Sequence, residues 1–300
     1  MGPTASGKTD LALSMADEFP CEIISVDSVM VYRDLNIGSA KPSQEILQNY
    51  PHHLVDIIDP EESYSVANFC NDALSLINQS HVNKKIPLLV GGTMLYFNAL
   101  LHGLSKMPSA NQKVRNDISQ QADDLGWEAL HKKLKQIDPN SAERIHPNDP
   151  QRIQRALEVY ELTGTPISEW HAETKSFELG SKILKLALIP EDRADLHRRI
   201  EQRFDHMLAE GFIEEVRELR NREMIHAELP AMRSVGYRQV WAYLDDKYDA
   251  KEMREKAIVA TRQFAKRQLT WLRSEADLNT VPAEKYDIHD VRQQIEVLLA

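Results

Sequence analysis

The chain has 300 residues, of which 42% are hydrophobic and 27% are charged, a composition typical of a globular protein with one large core or a core and a smaller domain. It contains no run of 18 apolar residues and no secretory signal pattern, so we expect a cytoplasmic protein without a membrane partner. The net charge of -10 argues mildly against a nucleic-acid partner, but residues 251–273 carry seven basic side chains against two acids.

The opening stretch MGPTASGKTD contains the pattern G-x-x-x-x-G-K-[ST], formed by Gly2, Gly7, Lys8 and Thr9. In such a phosphate-binding loop (P-loop), backbone N–H groups and the following helix face phosphate oxygens, the lysine neutralises charge, and the threonine hydroxyl can bind Mg²⁺. Helical spacing of apolar residues predicts a helix from Thr9 to Phe19. The motif is shared by kinases, GTPases, ATPases and some transferases, so it predicts a phosphate site without fixing the reaction.

A loop of this kind normally follows a buried strand, yet only Met1 precedes it here. We therefore expect the codons upstream to encode about five apolar residues rich in β-branched types.

Further strands alternate with helices after this loop. Strands are predicted at Cys21–Val26, Leu54–Ile58, Ile86–Val90 and Ile183–Ile189. Helices are predicted at about Val66–Ser80, Arg193–Glu210, Ile213–Arg222, Tyr237–Leu244 and Lys251–Trp271. This alternation predicts an α/β fold, a P-loop NTPase-like parallel sheet flanked by helices, with ligands at the carboxyl ends of the strands, where Asp27 and Thr93 fall.

Residues from about 108 to 180 show helical patterns broken by prolines and no strand pattern. We interpret them as an inserted all-helical domain, residues 108–180, between the two parts of a catalytic core, residues 1–107 and 181–300. The two cysteines, Cys21 and Cys70, match neither a zinc nor a disulfide spacing, so buried free thiols are expected.

The basic helix predicted at 251–271 has two faces. Its apolar face is expected to hold Met253, Ala257, Ala260, Phe264 and Trp271. Its opposite face holds Lys251, Arg262, Lys266 and Arg273. Arg262 and Lys266 repel each other, and no acid in the last two turns relieves them, so either a polyanion or solvent covers this face.

Asp27, at the end of a strand beside the P-loop, has two possible roles: an acid linked to Mg²⁺ or a general base for a nucleophile. The glycines and threonine of IPLLVGGT allow either a substrate groove or a plain tight turn. Arginines at the head of the predicted helix in 146–164 require an anion or an acidic neighbour. In MRSVGYRQVW (232–241), arginines and aromatics can bind RNA, or Tyr237 and Trp241 can be core residues.

Seven stretches together resemble the tRNA dimethylallyltransferases, which modify the adenosine that follows the anticodon. They are GPTASGKT (2–9), ISVDS (24–28), IGSAKP (37–42), LLVGGTMLYF (88–97), RIHPNDPQRIQRALEVYELTG (144–164), MRSVGYRQVW (232–241) and ATRQFAKRQLTWLR (260–273). The resemblance implies transfer of a dimethylallyl group from dimethylallyl diphosphate to the exocyclic amino nitrogen of that adenosine, with Mg²⁺ as cofactor, the tRNA anticodon stem-loop as partner and a monomeric enzyme.

The resemblance also implies site residues. The diphosphate would be held by Gly2, Pro3, Thr4, Ala5, Ser6, Gly7, Lys8 and Thr9, with Thr9 also binding Mg²⁺. Asp27 would be the general base, Thr93 would help to hold the flipped-out adenosine, and Arg203 would contact the diphosphate. The tRNA would contact Asp27, Ser28, Val29, Met30, Thr93, Arg115, Gln151, Arg152, Ile153, Gln154, Arg155, Met232, Arg233, Ser234, Val235, Gly236, Tyr237, Ala265, Lys266, Arg267, Gln268, Leu269, Thr270, Trp271 and Leu272.

Two other functions are compatible with parts of this pattern. A small-molecule kinase or other P-loop NTPase would use the same loop for ATP. A tRNA-binding protein without activity would keep the basic segments, but the presence of Lys8, Thr9, Asp27 and Thr93 argues against that alternative.

Overall fold

The computed structural model describes residues 1–172, 177, 179 and 182–299. The chain divides into two compact units, one formed by Met1–Asn98 with Leu179–Ala300 and the other by Ala99–Glu178. In residues 1–172 and 182–299, every helix is too short or too polar to span a lipid bilayer.

The first unit contains a parallel sheet in the order β2-β1-β3. Its strands are β1 (Cys21–Val26), β2 (His52–His53) and β3 (Ile86–Gly91). Central β1 pairs with β3 from Cys21–Ile86 to Val26–Gly91. Helices α1 (Lys8–Glu18) and α3 (Val66–Val82) pack against β1 and β3. The predicted α/β fold class, with a P-loop NTPase-like parallel sheet, is confirmed.

The strand predicted at Leu54–Ile58 is wrong. Leu54 and Asp56 have φ angles of 62° and 55°, in the left-handed region that a β-strand does not contain. Ile58 instead forms a single parallel bridge with Tyr32. The strand pairing lies earlier, at His52–His53, and the short helix α2 (Gln44–Asn49) precedes it.

A second parallel sheet consists of β4 (Lys185–Ile189) and β5 (Leu278–Pro282). Met1 lies beside β4, because its amino nitrogen donates to the Leu186 carbonyl at 2.7 Å and its carbonyl accepts from Leu188 N–H at 3.0 Å. The P-loop therefore starts against this sheet. Strand β5, α2 and the last helix, α14 (Ile288–Leu299), were not predicted.

Four helices form the largest apolar core of this unit. They are α10 (Arg193–Ala209), α11 (Phe212–Arg220), α12 (Tyr237–Leu244) and α13 (Ala250–Ser274). Side chains of Asp192 and Asp249 accept backbone N–H groups at the starts of α10 and α13, which satisfies donors that a helix leaves free. Cys21 and Cys70 are free thiols; Cys70 is buried as predicted, whereas Cys21 is half-buried.

The predicted apolar face of α13 is only partly right. Met253 and Ala257 are buried, but Ala260, Phe264 and Trp271 are half-buried. The buried row also contains Ile258, Ala265, Gln268 and Leu272. This difference arises because α13 packs against both α10 and α12 and because a polar residue, Gln268, is buried toward the P-loop.

The second unit contains helices only, within its described residues. After α4 (Met94–His102), which begins in the first unit, they are α5 (Gln112–Leu125), α6 (Trp127–Ile137), α7 (Pro139–Arg144), α8 (Pro150–Thr163) and α9 (Ile167–Ala172). Apolar residues of α5, α6 and α8, including Leu134, Ile153 and Leu157, form its core. Side chains of Asn111, Asp138 and Asp149 cap three of these helices.

Candidate active site

The P-loop turns into α1 at Gly7, which has a φ of 82° and therefore occupies the left-handed region that glycine adopts without strain. Lys8 folds back over the loop and donates from Nζ to the Pro3 carbonyl at 2.6 Å. Ser6 is fully buried, and its Oγ has no hydrogen-bond partner among the described residues. The loop thus keeps one buried hydroxyl and a lysine ammonium available next to its backbone N–H groups.

Two cationic side chains and one carboxylate meet beside this loop. The pKa of Lys8 is lowered to about 8, first by burial and then by the Arg203 guanidinium, while Asp27 opposes the shift. Burial also lowers the pKa of Arg203, and Asp27 again opposes it. Because Lys8 and Arg203 repel each other in a buried setting, an anion between them would be stabilised.

Asp27 follows β1, and a local turn fixes its carboxylate. Its Oδ1 accepts backbone N–H groups of Val29 at 2.8 Å and Met30 at 3.2 Å. No hydrogen bond to Oδ2 occurs among the described residues. One carboxylate oxygen therefore holds the position, and the other is available to accept a proton.

Thr93 supports the Asp27 turn. Its Oγ1 accepts the Ser28 N–H at 3.0 Å, and its own N–H donates to the Val26 carbonyl at 3.1 Å. Gly91 and Gly92 line the cavity beside the P-loop, whereas Thr93 does not.

Gln268 of α13 joins the P-loop to the turn after β3. Its Oε1 accepts the Thr4 N–H at 2.9 Å and its Nε2 donates to the Gly92 carbonyl at 2.7 Å. Only 3% of the residue is exposed. A side chain at position 92 would clash, since a Cβ there would lie 2.5 Å from Gln268 Nε2. Gln268 lies in the segment 265–272, which was predicted to contact tRNA. Both the oxygen and the nitrogen of its amide are already hydrogen-bonded within the protein.

These elements enclose a cavity of about 330 Å³ in the first unit. Polar residues that line it include Thr4, Lys8, Thr9, Asp27, Arg203 and Arg233. Its apolar side is formed by Val29, Ile200, Phe204, Met207 and Phe264. The cavity can hold a ligand that carries phosphate at one end and a small hydrocarbon at the other.

A carboxylate that sequence reasoning missed shapes another wall of this cavity. Glu215 of α11 accepts backbone N–H groups of Asn36, Ile37 and Gly38 at 2.7 to 3.2 Å. It also accepts the Tyr237 hydroxyl at 2.6 Å. The adjoining segments 38–42 and 233–236 both contribute lining residues. The two segments, IGSAKP and MRSVGYRQVW, were recognised in the sequence, but the acid that joins them was not.

The predicted tRNA-contacting residues of the first unit fall into three groups. Asp27 to Met30 and Arg233 to Gly236 line the cavity. Lys266 and Arg267 are exposed, and the Arg267 guanidinium lies 5.9 Å from the centre of the Phe264 ring. By contrast, Met232, Tyr237, Ala265 and Leu272 are buried core residues. Trp241 is also buried, so for it and for Tyr237 the structure shows the core alternative.

Two of the predicted contacts of the second unit, Arg115 and Arg155, bind one buried acid, whereas Ile153 is a buried core residue. Glu158, with its side chain fully buried, binds Arg115 at 2.9 Å and Arg155 at 2.7 Å. Arg152 is exposed and lies 3.5 Å from Asp149. The arginines at the start of α8 therefore have acidic neighbours, which was one of the two sequence-based alternatives.

The sequence shows no acid near Arg262 and Lys266 within the last two turns of α13, but another helix supplies one to Arg262. Its Nη2 lies 3.3 Å from a carboxylate oxygen of Glu201. Glu201 belongs to α10, so its proximity depends on helix packing and not on spacing within α13.

Comparisons with known proteins agree with this geometry. A family described as IPP transferase matches residues 30–275. A tRNA dimethylallyltransferase of Thioalkalivibrio sulfidiphilus is 55% identical over 96% of this chain and 90% of its own length. Another, from Alkalilimnicola ehrlichii, is 57% identical over 92% of this chain and 86% of its own length.

Solved structures are similar over nearly the whole chain. The tRNA isopentenylpyrophosphate transferase of Bacillus halodurans is 36% identical, with a TM-score of 0.71 over 99% of this chain and 94% of its own. A eukaryotic dimethylallyltransferase described as acting on tRNA is 28% identical, with a TM-score of 0.76 over 99% of this chain and 76% of its own.

Proposed function

Because the chain belongs to the IPP transferase family, the tRNA dimethylallyltransferases, we propose that it transfers a dimethylallyl group from dimethylallyl diphosphate to tRNA. The acceptor is the exocyclic amino nitrogen of the adenosine 3′ to the anticodon, and diphosphate is the other product. One observation carries this proposal: Lys8, Arg203 and the Asp27 carboxylate share a single cavity with an apolar wall.

The cationic end of the cavity supports diphosphate binding. Lys8 and Arg203 would neutralise the two phosphates, and N–H groups of residues 2–9 would donate to their oxygens. Since charge on the diphosphate grows as its bond to the allylic carbon breaks, these groups would stabilise the transition state more than the bound substrate. The apolar side chains Ile200, Phe204 and Met207 of α10 would hold the five-carbon group.

Asp27 would act as the general base. The amino nitrogen attacks the allylic carbon, the bond from that carbon to the diphosphate oxygen breaks with its electron pair, and a proton passes from nitrogen to Asp27 Oδ2. An exocyclic amine is a poor nucleophile because its lone pair is delocalised into the ring. A positioned base is worth roughly two to four powers of ten in rate.

The site also fits Mg²⁺. Thr9 lies in the cavity, and the described part of the chain contains no group of three His, Cys, Asp or Glu side chains that could hold a metal ion. Mg²⁺ typically takes one or two protein ligands and completes its shell with phosphate oxygens and water. The Thr9 hydroxyl would hold the ion, which would supply additional charge neutralisation to the diphosphate.

We further propose that tRNA contacts both units. Cavity-lining segments 27–30 and 233–236 would surround the flipped-out adenosine, which leaves its stack more easily in an unpaired loop than in a duplex. Lys266, Arg267 and Arg152, all exposed, would contact phosphates of the anticodon stem-loop, with 108–180 as the domain that binds it. A tRNA substrate also supports the expected cytoplasmic location.

The direct test is to incubate the protein with Mg²⁺, dimethylallyl diphosphate and unmodified tRNA and to weigh the nucleosides after digestion. We expect one adenosine per modified tRNA to gain a dimethylallyl mass. A parallel reaction with ATP and no dimethylallyl diphosphate tests the kinase alternative. ATP turnover without prenyl transfer would contradict the proposal.

A further inference from the structure

A second cavity, of about 290 Å³, lies along the same two helices that line the candidate active site. The active-site cavity uses Ile200, Arg203 and Phe204 of α10, whereas this one uses residues nearer the start of that helix, Arg193 and His197. The two cavities have no lining residue in common. They are therefore separate sites side by side.

The lining of the second cavity is strongly cationic. Its basic side chains are Arg193, His197, Arg262, Lys266 and Arg273. Glu191 is its single carboxylate. Burial, Arg262 and Arg193 together lower the pKa of His197, so near neutral pH the imidazole is a neutral hydrogen-bonding group among four permanent cations.

Two basic residues of α13 that lie outside the cavity have acidic partners. Arg254 is bound by Glu201 and Asp205, and Lys256 by Glu252. In contrast, within the described residues Arg193, Lys266 and Arg273 form no ion pair.

The guanidinium of Arg262 has partners for only some of its hydrogen-bond donors. It meets Glu201 through Nη2 alone, at 3.3 Å. Its Nε is buried without a hydrogen-bond partner in the described structure. A buried donor without an acceptor is destabilising, and an anion in the cavity would supply the acceptor.

The remaining lining is apolar and includes Leu196, Leu269 and Leu278. Cations beside an apolar surface suit a nucleotide, since its phosphate is charged and its sugar and base present flat, weakly polar faces. His197 precedes Arg203 by six residues, which is about 9 Å along a helix. The two groups of lining residues on α10 are therefore less than two helical turns apart.

We infer that the second cavity binds a phosphate of the tRNA backbone close to the adenosine in the active site. The inference rests on the proposed function, because it takes tRNA as the ligand. It adds Arg193, His197 and Arg273 to the RNA-binding surface. A phosphate held there would fix the position of the strand that enters the active site.

The test compares two double variants of equal charge change. Arg193→Ala with Arg273→Ala removes two cavity cations. Arg198→Ala with Arg217→Ala removes two arginines that are ion-paired with Asp195 and Glu214 and line neither cavity. All four side chains lie at the surface, and thermal melting checks that both proteins fold.

The affinity of an anticodon stem-loop RNA is measured for each protein at several salt concentrations, without dimethylallyl diphosphate. Each lost contact to a single strand reduces the slope of log K against log salt by about 0.7. Because the inference places one phosphate in the cavity, we expect the cavity variant to have a slope about 0.7 shallower than wild type and the control to match wild type. Equal slopes in both double variants would overturn the inference.

A second experiment distinguishes tRNA from free phosphate compounds as the ligand of the second cavity. AMP and inorganic phosphate are titrated against wild type and the cavity variant. If they bind wild type, lose binding in the cavity variant, and the RNA slope is unchanged, the cavity serves a free phosphate compound and the tRNA assignment is wrong. Since no step uses prenyl transfer, a protein that shows the slope difference but does not modify tRNA would contradict the proposed function and leave this inference standing.

Discussion

Gln268 Nε2 donates a 2.7 Å hydrogen bond to the carbonyl oxygen of Gly92. The same amide accepts the Thr4 N–H through Oε1, so a single buried side chain of α13 holds both the P-loop and the turn after β3. Helix α13 also carries Arg262, Lys266 and Arg267, the cations that we assign to RNA contact. One helix therefore carries both the side chain that holds the P-loop and the cations that we assign to RNA contact.

Gln268→Glu tests whether Gln268 holds the P-loop in position for the diphosphate. A carboxylate keeps an acceptor for Thr4 N–H, but it loses the donor to Gly92 and places negative charge beside the diphosphate. We expect the KM for dimethylallyl diphosphate to rise by about tenfold or more, which corresponds to losing roughly 1.5 kcal/mol, with RNA affinity unchanged. Steady-state kinetics with each substrate varied in turn measures this. An effect confined to RNA affinity would show that Gln268 contacts RNA instead.

The lowered pKa of Lys8 predicts that activity falls at alkaline pH. Because the pKa of Lys8 is lowered to about 8, its ammonium loses its proton as the pH rises through that value, and the affinity for diphosphate should fall. The matched variant is Lys8→Arg, which stays charged, so its smaller kcat/KM should not decline between pH 7 and 9. A wild-type profile that is flat to pH 9 would contradict this role for the ammonium.

The lowered pKa of Lys8 affects stability in the direction opposite to activity, because stability rises with pH where activity falls. The unfolded chain, with an ordinary lysine, binds more protons than the folded chain between the folded pKa of about 8 and the ordinary lysine pKa of 10.5. The contribution of Lys8 to the free energy of unfolding should therefore increase with pH across that window. Denaturant titrations of wild type and Lys8→Met at several pH values measure the stability difference between them, which should be constant below pH 7 and shift in favour of wild type as the pH rises above 8.

Glu215 should matter more for folding than its position in α11 suggests. Glu215→Ala would leave three backbone N–H groups and the Tyr237 hydroxyl without their acceptor, and we expect the free energy of unfolding to fall by about 2 to 4 kcal/mol. Tyr237→Phe removes one donor and should cost about 1 kcal/mol. Chemical denaturation measures both, and similar small losses for the two variants would contradict the assigned role of the carboxylate.

Arg152 and Arg155 form a matched pair on α8. Arg155 binds the buried Glu158, whereas Arg152 is 72% exposed. Removing the sole partner of a buried charge costs about 3 to 5 kcal/mol; because Arg115 still pairs with Glu158, Arg155→Ala should destabilise the protein by less than this. Arg152→Ala should leave stability unchanged and weaken RNA binding with a shallower salt slope. The reverse assignment of the two effects would contradict the proposed roles.

Much of the fold was predictable because local patterns and local structure agree. Strand β1 and helix α12 have the predicted bounds, Cys21–Val26 and Tyr237–Leu244, since apolar runs and turn residues delimit both. The failure at Leu54–Ile58 has a tertiary cause. Lys41, with its side chain almost fully buried, forms an ion pair with Asp56, and the chain turns to make that contact although its composition favours a strand.

The candidate site likewise contains some residues that the sequence identifies and others that it does not. The P-loop and Asp27 could be assigned because their chemistry follows from short motifs. The functions of Glu215 and Gln268 depend on partners 178 and 264 residues away, and nothing in the sequence near them indicates those partners.

The central claim is that Asp27 Oδ2 removes the proton from the adenosine amino group. Its most direct test is single-turnover prenyl transfer by wild type and Asp27→Asn at saturating dimethylallyl diphosphate and tRNA. Asparagine preserves an oxygen for the Val29 and Met30 N–H groups but cannot accept the proton, so we expect a rate about 10² to 10⁴ times lower with tRNA affinity within a factor of about three of wild type. An unchanged single-turnover rate, or a loss of tRNA affinity that accounts for the whole defect, would contradict the claim.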